Sequence, residues 1–380
     1  MESAKETIAF VREFYDTKGF IPLHEPRFRG NERKYLMETI DSTFVSSVGA
    51  YVDKFEVMMQ GLTSTKRAVA VVNGTAGIQV SLRLVGVQPG DEVLTQALTF
   101  VATANAIAYN QASPVFLDVD RDTMGLSPTA VADFLEEFGV IRDGICFNKM
   151  TGKRISACLP MHTFGFPVRI DQLSEICEKW CIPVVEDAAE SLGSLYKGKP
   201  TGSFGKLGVF SFNGNKIVTS GGGGAIVSNN LDYGEKAKYL TTTAKKPHTY
   251  EYVHDELGYN YRMPNLNAAL ACAQLESLDK FIEAKRKLAE NYQEFFKNSD
   301  VQFRTEAKEA EANYWLMCVQ LNDRKERDAF LKYTNEAKVM TRPIWKLMYK
   351  LPMYENCLRD HQKNAEFLED RIVNIPSSVK

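Results

Sequence analysis

Between residues 68 and 228, short apolar runs alternate with segments in which apolar residues recur every three or four positions. The short runs predict buried strands and the periodic segments predict helices. This alternation is typical of an α/β fold with a mostly parallel sheet and helices on both faces. The predicted strands cover residues 68–72, 92–95, 113–119 and 157–161, with a further strand ending at Asp187, and the predicted helices cover residues 75–85, 102–109, 127–138 and 171–179.

The second half of the chain predicts a smaller α+β domain joined to the first by helices. Residues 233–239 predict a helix that leaves the sheet, and residues 266–296 predict a long helix or a pair of helices. A strand over residues 314–320 and a helix over residues 324–335 follow. Because 380 residues exceed the usual size of a single core, we expect two domains, residues 1–240 and 241–380.

Composition narrows the class of partner. The net charge is −2, which gives no support for binding to nucleic acid. The charged N-terminus does not predict a signal peptide, and no apolar run is long enough to predict a membrane span. Seven cysteines lie scattered without the spacing of a zinc site, so we expect free thiols, no metal and a cytoplasmic location.

An acid and a lysine follow two of the predicted strands. Asp187 ends one apolar run, Lys216 comes shortly after another, and four glycines occupy residues 221–224. Pyridoxal phosphate (PLP) needs a lysine for its Schiff base and a carboxylate beside its ring nitrogen. Taken singly, a capping aspartate, a surface lysine and a flexible turn explain these residues as well. Together, in this order, they indicate a PLP enzyme.

A strand, a glycine turn and a helix start meet at residues 73–75. This arrangement predicts an anion site, because the first N–H groups of a helix and its dipole face a bound anion. The Thr75 hydroxyl can add a donor beside Gly74. A plain capped turn is the alternative. The chain lacks both GxGxxG and a Walker lysine here, which disfavours dinucleotide and nucleoside-triphosphate binding.

Several strings along the chain resemble the DegT/DnrJ/EryC1/StrS family of sugar aminotransferases. The resemblance covers the chain in order from about residue 20 to the end and lies in residues 89–93, 99–103, 162–165, 186–194, 210–216 and 258–263. It implies the fold of type I PLP enzymes, a homodimer with shared active sites and a nucleotide-linked keto-sugar as substrate.

The resemblance also implies roles for individual residues. Lys216 would hold the PLP aldehyde, Asp187 would pair with the ring nitrogen, and Glu190 would lie near the ring oxygen, where the family often has Gln or His. Phe100 would stack on the ring. The phosphate would be held by Gly74, Thr75 and Ser211, and by Asn260 of the neighbouring subunit, while His162 and Arg262 would lie near the substrate. A purely structural role for His162 stays equally open.

Two departures from the family concern the lysine loop. Gly222 stands where the family commonly has Glu, and Asn213 and Gly214 stand where bulkier residues are usual. Both departures bear on loop shape and substrate preference rather than on the cofactor.

The N-terminal arm, residues 8–15, and residues 42–49 are similar to the LegC branch of the family. That branch implies transfer of an amino group from glutamate to C4 of a UDP-linked 4-keto-6-deoxy-N-acetylglucosamine. Two other interpretations remain: a sugar dehydratase of the same fold that depends on PLP or on its amine form, pyridoxamine phosphate (PMP), and in which a histidine replaces Lys216, and a regulatory protein that keeps the fold without turnover.

Overall fold

The computed structural model describes residues 2–380. Its helices are α1 Glu2–Tyr15, α2 Glu32–Asp41, α3 Ala50–Thr63, α4 Gly74–Leu84, α5 Val101–Tyr109, α6 Pro128–Phe138, α7 Ile170–Lys179, α8 Leu231–Thr241, α9 Asn265–Leu275, α10 Leu278–Phe296, α11 Arg324–Glu336 and α12 Lys363–Glu369. Its strands are β1 Arg67–Val71, β2 Glu92–Gln96, β3 Ser113–Leu117, β4 Gly139–Arg142, β5 Ile145–Asn148, β6 Ile155–Leu159, β7 Val185–Asp187, β8 Leu195–Tyr196, β9 Lys199–Pro200, β10 Leu207–Ser211, β11 Gly224–Ser228, β12 Gln302–Phe303, β13 Ala310–Glu311, β14 Met317–Gln320, β15 Arg342–Pro343 and β16 Ile372–Ile375.

The central sheet has the strand order β3-β2-β6-β7-β10-β11-β1. Two parallel bridges, Cys158 to Val184 and Met161 to Asp187, join its two halves. Strand β11 runs antiparallel to both neighbours, and the other six strands run in one direction. The mostly parallel sheet predicted from the apolar pattern is therefore confirmed.

Alternate residues of the strands face opposite layers of helices. In β1, Val69 and Val71 pack with α4, α5 and α8, whereas Ala68 and Ala70 pack toward α3 on the other face. Helices α6 and α7 cover the β2–β3 side of that second face. Burial on both faces explains why β1 and β3 are almost entirely apolar after their first residue, without polar alternation.

The second sheet is antiparallel and has the order β12-β14-β16-β15. Helices α10 and α11 pack against it. The segment predicted as one long helix or a pair is a pair, broken between Leu275 and Leu278.

The N-terminal arm packs on this smaller domain, although the predicted division places it with the large one. Ile21 bridges Val339, and Arg12 donates to the carbonyl of Ala337 at 2.7 Å. The predicted boundary between the domains, residue 240, lies near the end of α8. Between residues 2 and 380, no helix has the length and apolar character needed to cross a bilayer.

Candidate active site

A cavity of about 660 Å³ lies where the carboxyl ends of the central strands face the smaller domain. Ligands of open α/β sheets bind at this edge. The large domain contributes residues that follow β1, β6, β7 and β10 and the start of α5, while the smaller domain contributes two segments around Trp315 and Trp345. The lining includes Asn73, Gly74, Thr75, Phe100, Thr103, Met161, Phe164, Asp187, Glu190, Ser211, Asn213, Asn215, Lys216, Gly223, Trp315, Arg342, Trp345 and Lys346.

Asp187 is a buried carboxylate in this cavity. The residue ends β7 and is only 2% exposed. Its Oδ2 accepts a hydrogen bond from Thr103 at 2.8 Å, and its Oδ1 accepts one from the Ala189 N–H at 3.2 Å. Burial raises the pKa of Asp187, and these two hydrogen bonds oppose the rise. A cationic N–H group in the cavity would therefore be a favourable partner for this carboxylate.

Lys216 reaches the same cavity from the loop after β10. Its N–H donates to the carbonyl of Asn213, which closes a tight turn. Its Nζ lies 3.4 Å from Oε1 of Glu190 and 3.9 Å from the centroid of the Trp315 ring. The amine therefore has a carboxylate on one side and an aromatic face on another.

Glu190 is a second buried carboxylate, fixed by the backbone. Its Oε2 accepts the Phe164 N–H at 2.8 Å. Burial raises its pKa to about 6, although the nearby Lys216 charge opposes the rise. The carboxyl of Glu190 can therefore gain or lose a proton near neutral pH while it contacts the lysine.

The start of α4 and the end of β10 form a cradle for an anion. We call Asn73, Gly74, Thr75 and Ser211 the phosphate cradle. The Asn73 side chain caps α4 by accepting the Ala76 N–H at 2.8 Å. A Cβ on Gly74 would lie 3.1 Å from the Ser211 Cβ, so glycine permits the close approach of the two segments. The start of a helix and a hydroxyl thus line the same part of the cavity.

The glycines of the run beside the cradle differ in how much space a side chain would have. A Cβ on Gly224 would lie 2.6 Å from the backbone carbon of Asn73, and a Cβ on Gly223 would lie 2.7 Å from the Met263 side chain. A Cβ on Gly222 would meet no atom within 4 Å. The departure from the family at Gly222 therefore leaves the cradle backbone unaffected.

Phe100 lies at the mouth of the cavity. It precedes α5 and is 49% exposed, with its ring centroid 6.4 Å from that of Trp345. An exposed aromatic face beside a cavity suits stacking on a planar ligand.

The expectation that His162 lies near the substrate does not fit its position. Its Nδ1 accepts the Val168 N–H at 3.2 Å, and its Nε2 bonds Oε2 of Glu186 at 3.1 Å. Both ring nitrogens are thus engaged, the side chain is fully buried, and the residue is absent from the cavity lining. Its backbone N–H donates to the Asp187 carbonyl, so His162 supports the strand end that carries Asp187.

Asn260 and Arg262 also lie outside the cavity of their own chain. The Arg262 Nε donates to Oδ1 of Asn260 at 2.9 Å, and Asn260 is exposed. The Arg262 backbone bridges Val71, two residues before the phosphate cradle begins. This placement gives Asn260 no contact with the cradle of its own subunit and leaves it on the surface.

The structure adds residues that the sequence reasoning missed. Thr103 follows Phe100 by three positions on α5, a spacing that signals one helix face. Trp315, Arg342, Trp345 and Lys346 come from the smaller domain, and no local signal in the sequence connects them with Lys216.

The chain is similar to a family and to individual proteins of known name. The model of the DegT/DnrJ/EryC1/StrS aminotransferase family matches residues 26–380. EpsN of Bacillus subtilis (strain 168), assigned as a pyridoxal phosphate-dependent aminotransferase, is 38% identical over 352 residues, 92% of this chain and 88% of EpsN. GDP-perosamine synthase of Escherichia coli O157:H7 is 36% identical over 358 residues, 94% and 93% of the two chains. The crystal structure of the aminotransferase TlmJ from Streptoalloteichus hindustanus has a TM-score of 0.85 at 25% identity, with 94% of each chain covered.

The chain belongs to the DegT/DnrJ/EryC1/StrS aminotransferase family. It is a PLP-dependent aminotransferase, and the fold class, enzyme class and cofactor predicted from the sequence are confirmed. The cavity suits this cofactor, because a buried carboxylate, a lysine and an anion cradle line one space. The roles of the individual residues stay predictions.

Proposed function

We propose that this aminotransferase transfers an amino group from glutamate to C4 of a UDP-linked 4-keto-6-deoxy-N-acetylhexosamine and so forms a 4-amino sugar for surface glycans. The observation that carries the proposal is the convergence of Lys216, Asp187 and the phosphate cradle on one cavity that also opens to two cationic side chains. The similarity to a GDP-perosamine synthase supports a nucleotide-linked sugar as the substrate class.

Each group of the cavity has a place in this chemistry. PLP, when bound, supplies an aldehyde that carries the amino group and a ring that withdraws electrons. Asp187 would hold the ring nitrogen in its protonated form, the phosphate cradle would bind the phosphate, and Phe100 would cover the ring. Lys216 would hold the aldehyde.

Once released from the aldehyde, the Lys216 amine would move a proton between the two carbons on either side of the transferred nitrogen, the substrate carbon that bears it and the cofactor carbon that carried the aldehyde. Such a base must be within hydrogen-bond reach and able to lose its proton near neutral pH. Glu190, 3.4 Å from Nζ, would orient the amine and share its proton. Trp315 would cover the amine from the side of the smaller domain and exclude water.

The mouth of the cavity suits the diphosphate of a nucleotide sugar. Arg342 and Lys346 are exposed lining residues on the smaller domain, and neither forms an ion pair with an acid among residues 2–380. Two free cations complement a diphosphate, since guanidinium and ammonium groups both bind phosphate oxygens. The neighbouring Trp345 and Phe100 rings offer flat apolar surface to the sugar or base.

A homodimer would complete the site. The surface position of Asn260, close in sequence to the segment beside the cradle, supports a role in the partner's phosphate site. Leu257, 75% exposed, and the tyrosines 250 and 252, 80% and 79% exposed, lie on the same connection. Large exposed apolar side chains of this kind are typical of a surface that is covered by a partner.

A GDP-linked keto-sugar is the second candidate substrate, favoured by the 36% identity to GDP-perosamine synthase. A panel of UDP-, GDP- and dTDP-linked 4-keto sugars, assayed with glutamate and PLP, separates the candidates. We expect amination of the UDP-linked substrate and none in Lys216→Ala. Preference for the GDP-linked substrate would replace the UDP assignment.

The same assay addresses the two other readings. A dehydratase would consume the keto-sugar without forming an amino sugar, and a regulator would consume neither the keto-sugar nor glutamate. The visible absorbance of the purified protein gives a second measurement, because an aminotransferase changes its spectrum when glutamate alone is added. Absence of that change, with no amination of any sugar in the panel, would contradict the proposal.

A further inference from the structure

Lys285 is a cation buried without an acidic partner. It lies on α10, is 1% exposed and forms no ion pair among residues 2–380. Burial lowers its pKa to about 7. Burying an ammonium group costs free energy unless hydrogen bonds compensate, so this group needs hydrogen-bond acceptors around it.

The Lys285 ammonium is satisfied by backbone alone. Its Nζ donates to the carbonyl oxygens of Tyr314 at 3.3 Å, Trp315 at 3.0 Å and Ser377 at 2.6 Å. Tyr314 adopts a φ of +49°, in the left-handed region that a tyrosine rarely occupies. Such a conformation persists only where the surroundings hold it. Lys285 is one of the groups that hold this turn.

The turn ends in the residue that contacts the active-site lysine. The Trp315 ring lies 3.9 Å from Nζ of Lys216, and its indole N–H donates to the carbonyl of Asn215 at 2.7 Å. Trp315 therefore contacts both the amine and the backbone just before it. On the other side, Asn313 accepts the Trp315 N–H at 2.8 Å and ties the turn to the loop of Glu190.

We propose that Lys285 is a positioning residue for Lys216 that acts through Trp315. Its three hydrogen bonds fix the turn, the turn fixes the indole, and the indole holds the amine within reach of Glu190. An ammonium group against an aromatic face is attracted to it, and more strongly where water is excluded. This inference rests on the proposed role of Lys216. It adds to the residues that serve the site one that lies on a helix outside the cavity.

The test uses the full-length protein with and without PLP. Lys285→Met removes the donor and keeps the length, and Lys285→Gln retains an amide that can donate to two of the carbonyls. Lys287→Met is the matched control, because Lys287 lies on the same helix, is exposed and directs its ammonium to the side chain of Glu290. Each variant is made with Trp315 intact and with Trp315→Phe.

Two measurements are needed. In the PLP-free protein, subtracting the spectrum of the Trp315→Phe counterpart isolates the emission of Trp315. We expect a red shift in Lys285→Met, a smaller one in Lys285→Gln and none in Lys287→Met. The rate at which added PLP acquires the absorbance of the protein-bound form should fall about tenfold in Lys285→Met when Trp315 is present, and less than about twofold in the Trp315→Phe background.

Equal losses in the two backgrounds would show that Lys285 does not act through Trp315 and would overturn the proposal. An unchanged Trp315 emission in Lys285→Met would overturn it as well. If both Lys285 variants fail to fold, the residue supports the domain as a whole and the proposal is wrong. Both measurements are made without a sugar. Their result therefore does not depend on whether the proposed sugar amination occurs.

Discussion

Replacing Asp187 by Asn tests the buried carboxylate, because the change should slow turnover and yet stabilise the PLP-free fold. Asp187 is 2% exposed and has two hydrogen-bond donors, Thr103 and Ala189, but no cation within ion-pair distance among residues 2–380. Asn keeps the shape and removes the charge. The proposed ring N–H cation then loses a partner that is itself buried.

The size of the effect follows from burial. Removing one partner of a buried ion pair costs about 3–5 kcal/mol, and about 1.36 kcal/mol corresponds to a tenfold change in rate. We therefore expect kcat to fall by about two to four powers of ten. Thr103→Val is the graded comparison, because it removes one hydrogen bond to a charged group, worth about 1.5 kcal/mol or about tenfold.

The stability of the PLP-free protein should move the other way. Burial raises the pKa of Asp187 in the folded state, so the unfolded chain loses its proton at lower pH. The ionised carboxylate therefore destabilises the fold above both pKa values, and this penalty disappears as the pH falls below them. We expect Asp187→Asn to melt at a higher temperature than the wild type at neutral pH, with the difference vanishing in acid.

Steady-state kinetics with a nucleotide-linked keto-sugar and thermal melting of the PLP-free proteins measure the two effects. A wild-type kcat in Asp187→Asn would place the carboxylate that serves the ring elsewhere. A lower melting temperature at neutral pH would show that the two hydrogen bonds outweigh the burial of charge.

Three further predictions concern the rest of the site. Gly224→Ala should weaken PLP retention, measured by dialysis and visible absorbance, because its Cβ would clash with the cradle backbone, whereas Gly222→Ala, with open space, should retain PLP normally. Because burial raises the Glu190 pKa to about 6, the PLP-free wild type should gain melting temperature relative to Glu190→Gln as pH falls from above 6 toward about 4.5; a pH-independent difference would contradict the assignment. Mixing Lys216→Ala with Asn260→Ala subunits should restore amination if the sites are shared, provided that both parents are impaired and subunit exchange is demonstrated; no recovery under those conditions would refute the cross-subunit role.

The large domain could be predicted because its strands are buried on both faces and its helices repeat their apolar positions. The predicted strand over residues 68–72 and helix over residues 75–85 differ from β1 and α4 by one residue at each end. The predicted elements do not include helices α2 and α3. Only Glu32 and Thr39 of α2 are buried, so its apolar residues do not mark a buried face. In α3 the buried residues Val52, Phe55 and Met59 do recur at helical spacing, and the prediction missed this signal.

The candidate site also contains residues that the sequence predicts and residues that it does not. Asp187, Ser211 and Lys216 follow strand ends, and chain position alone brings such residues to one edge of a parallel sheet. Contacts between residues of the two domains cannot be predicted from the local sequence around either residue. The pairing of Trp315 with Lys216 spans about a hundred residues, and the fixed ring of His162 depends on a carboxylate and a loop that no period in the sequence reveals.

The glycine positions near the lysine differ in whether the backbone around them requires a glycine. A Cβ on Gly224 would meet the backbone of Asn73, so a larger residue there would disturb the cradle, whereas a Cβ on Gly223 would meet the side chains of Ser220 and Met263, which lie outside it. Gly222 and Gly214 face open space, which means that their departures from the family pattern cannot act through the backbone that holds the phosphate. The side chains missing at these two positions are missing from the surface around the cavity. We therefore expect these two glycines to affect how the substrate or the partner subunit reaches the cavity. The panel of nucleotide sugars measures the effect on the substrate directly.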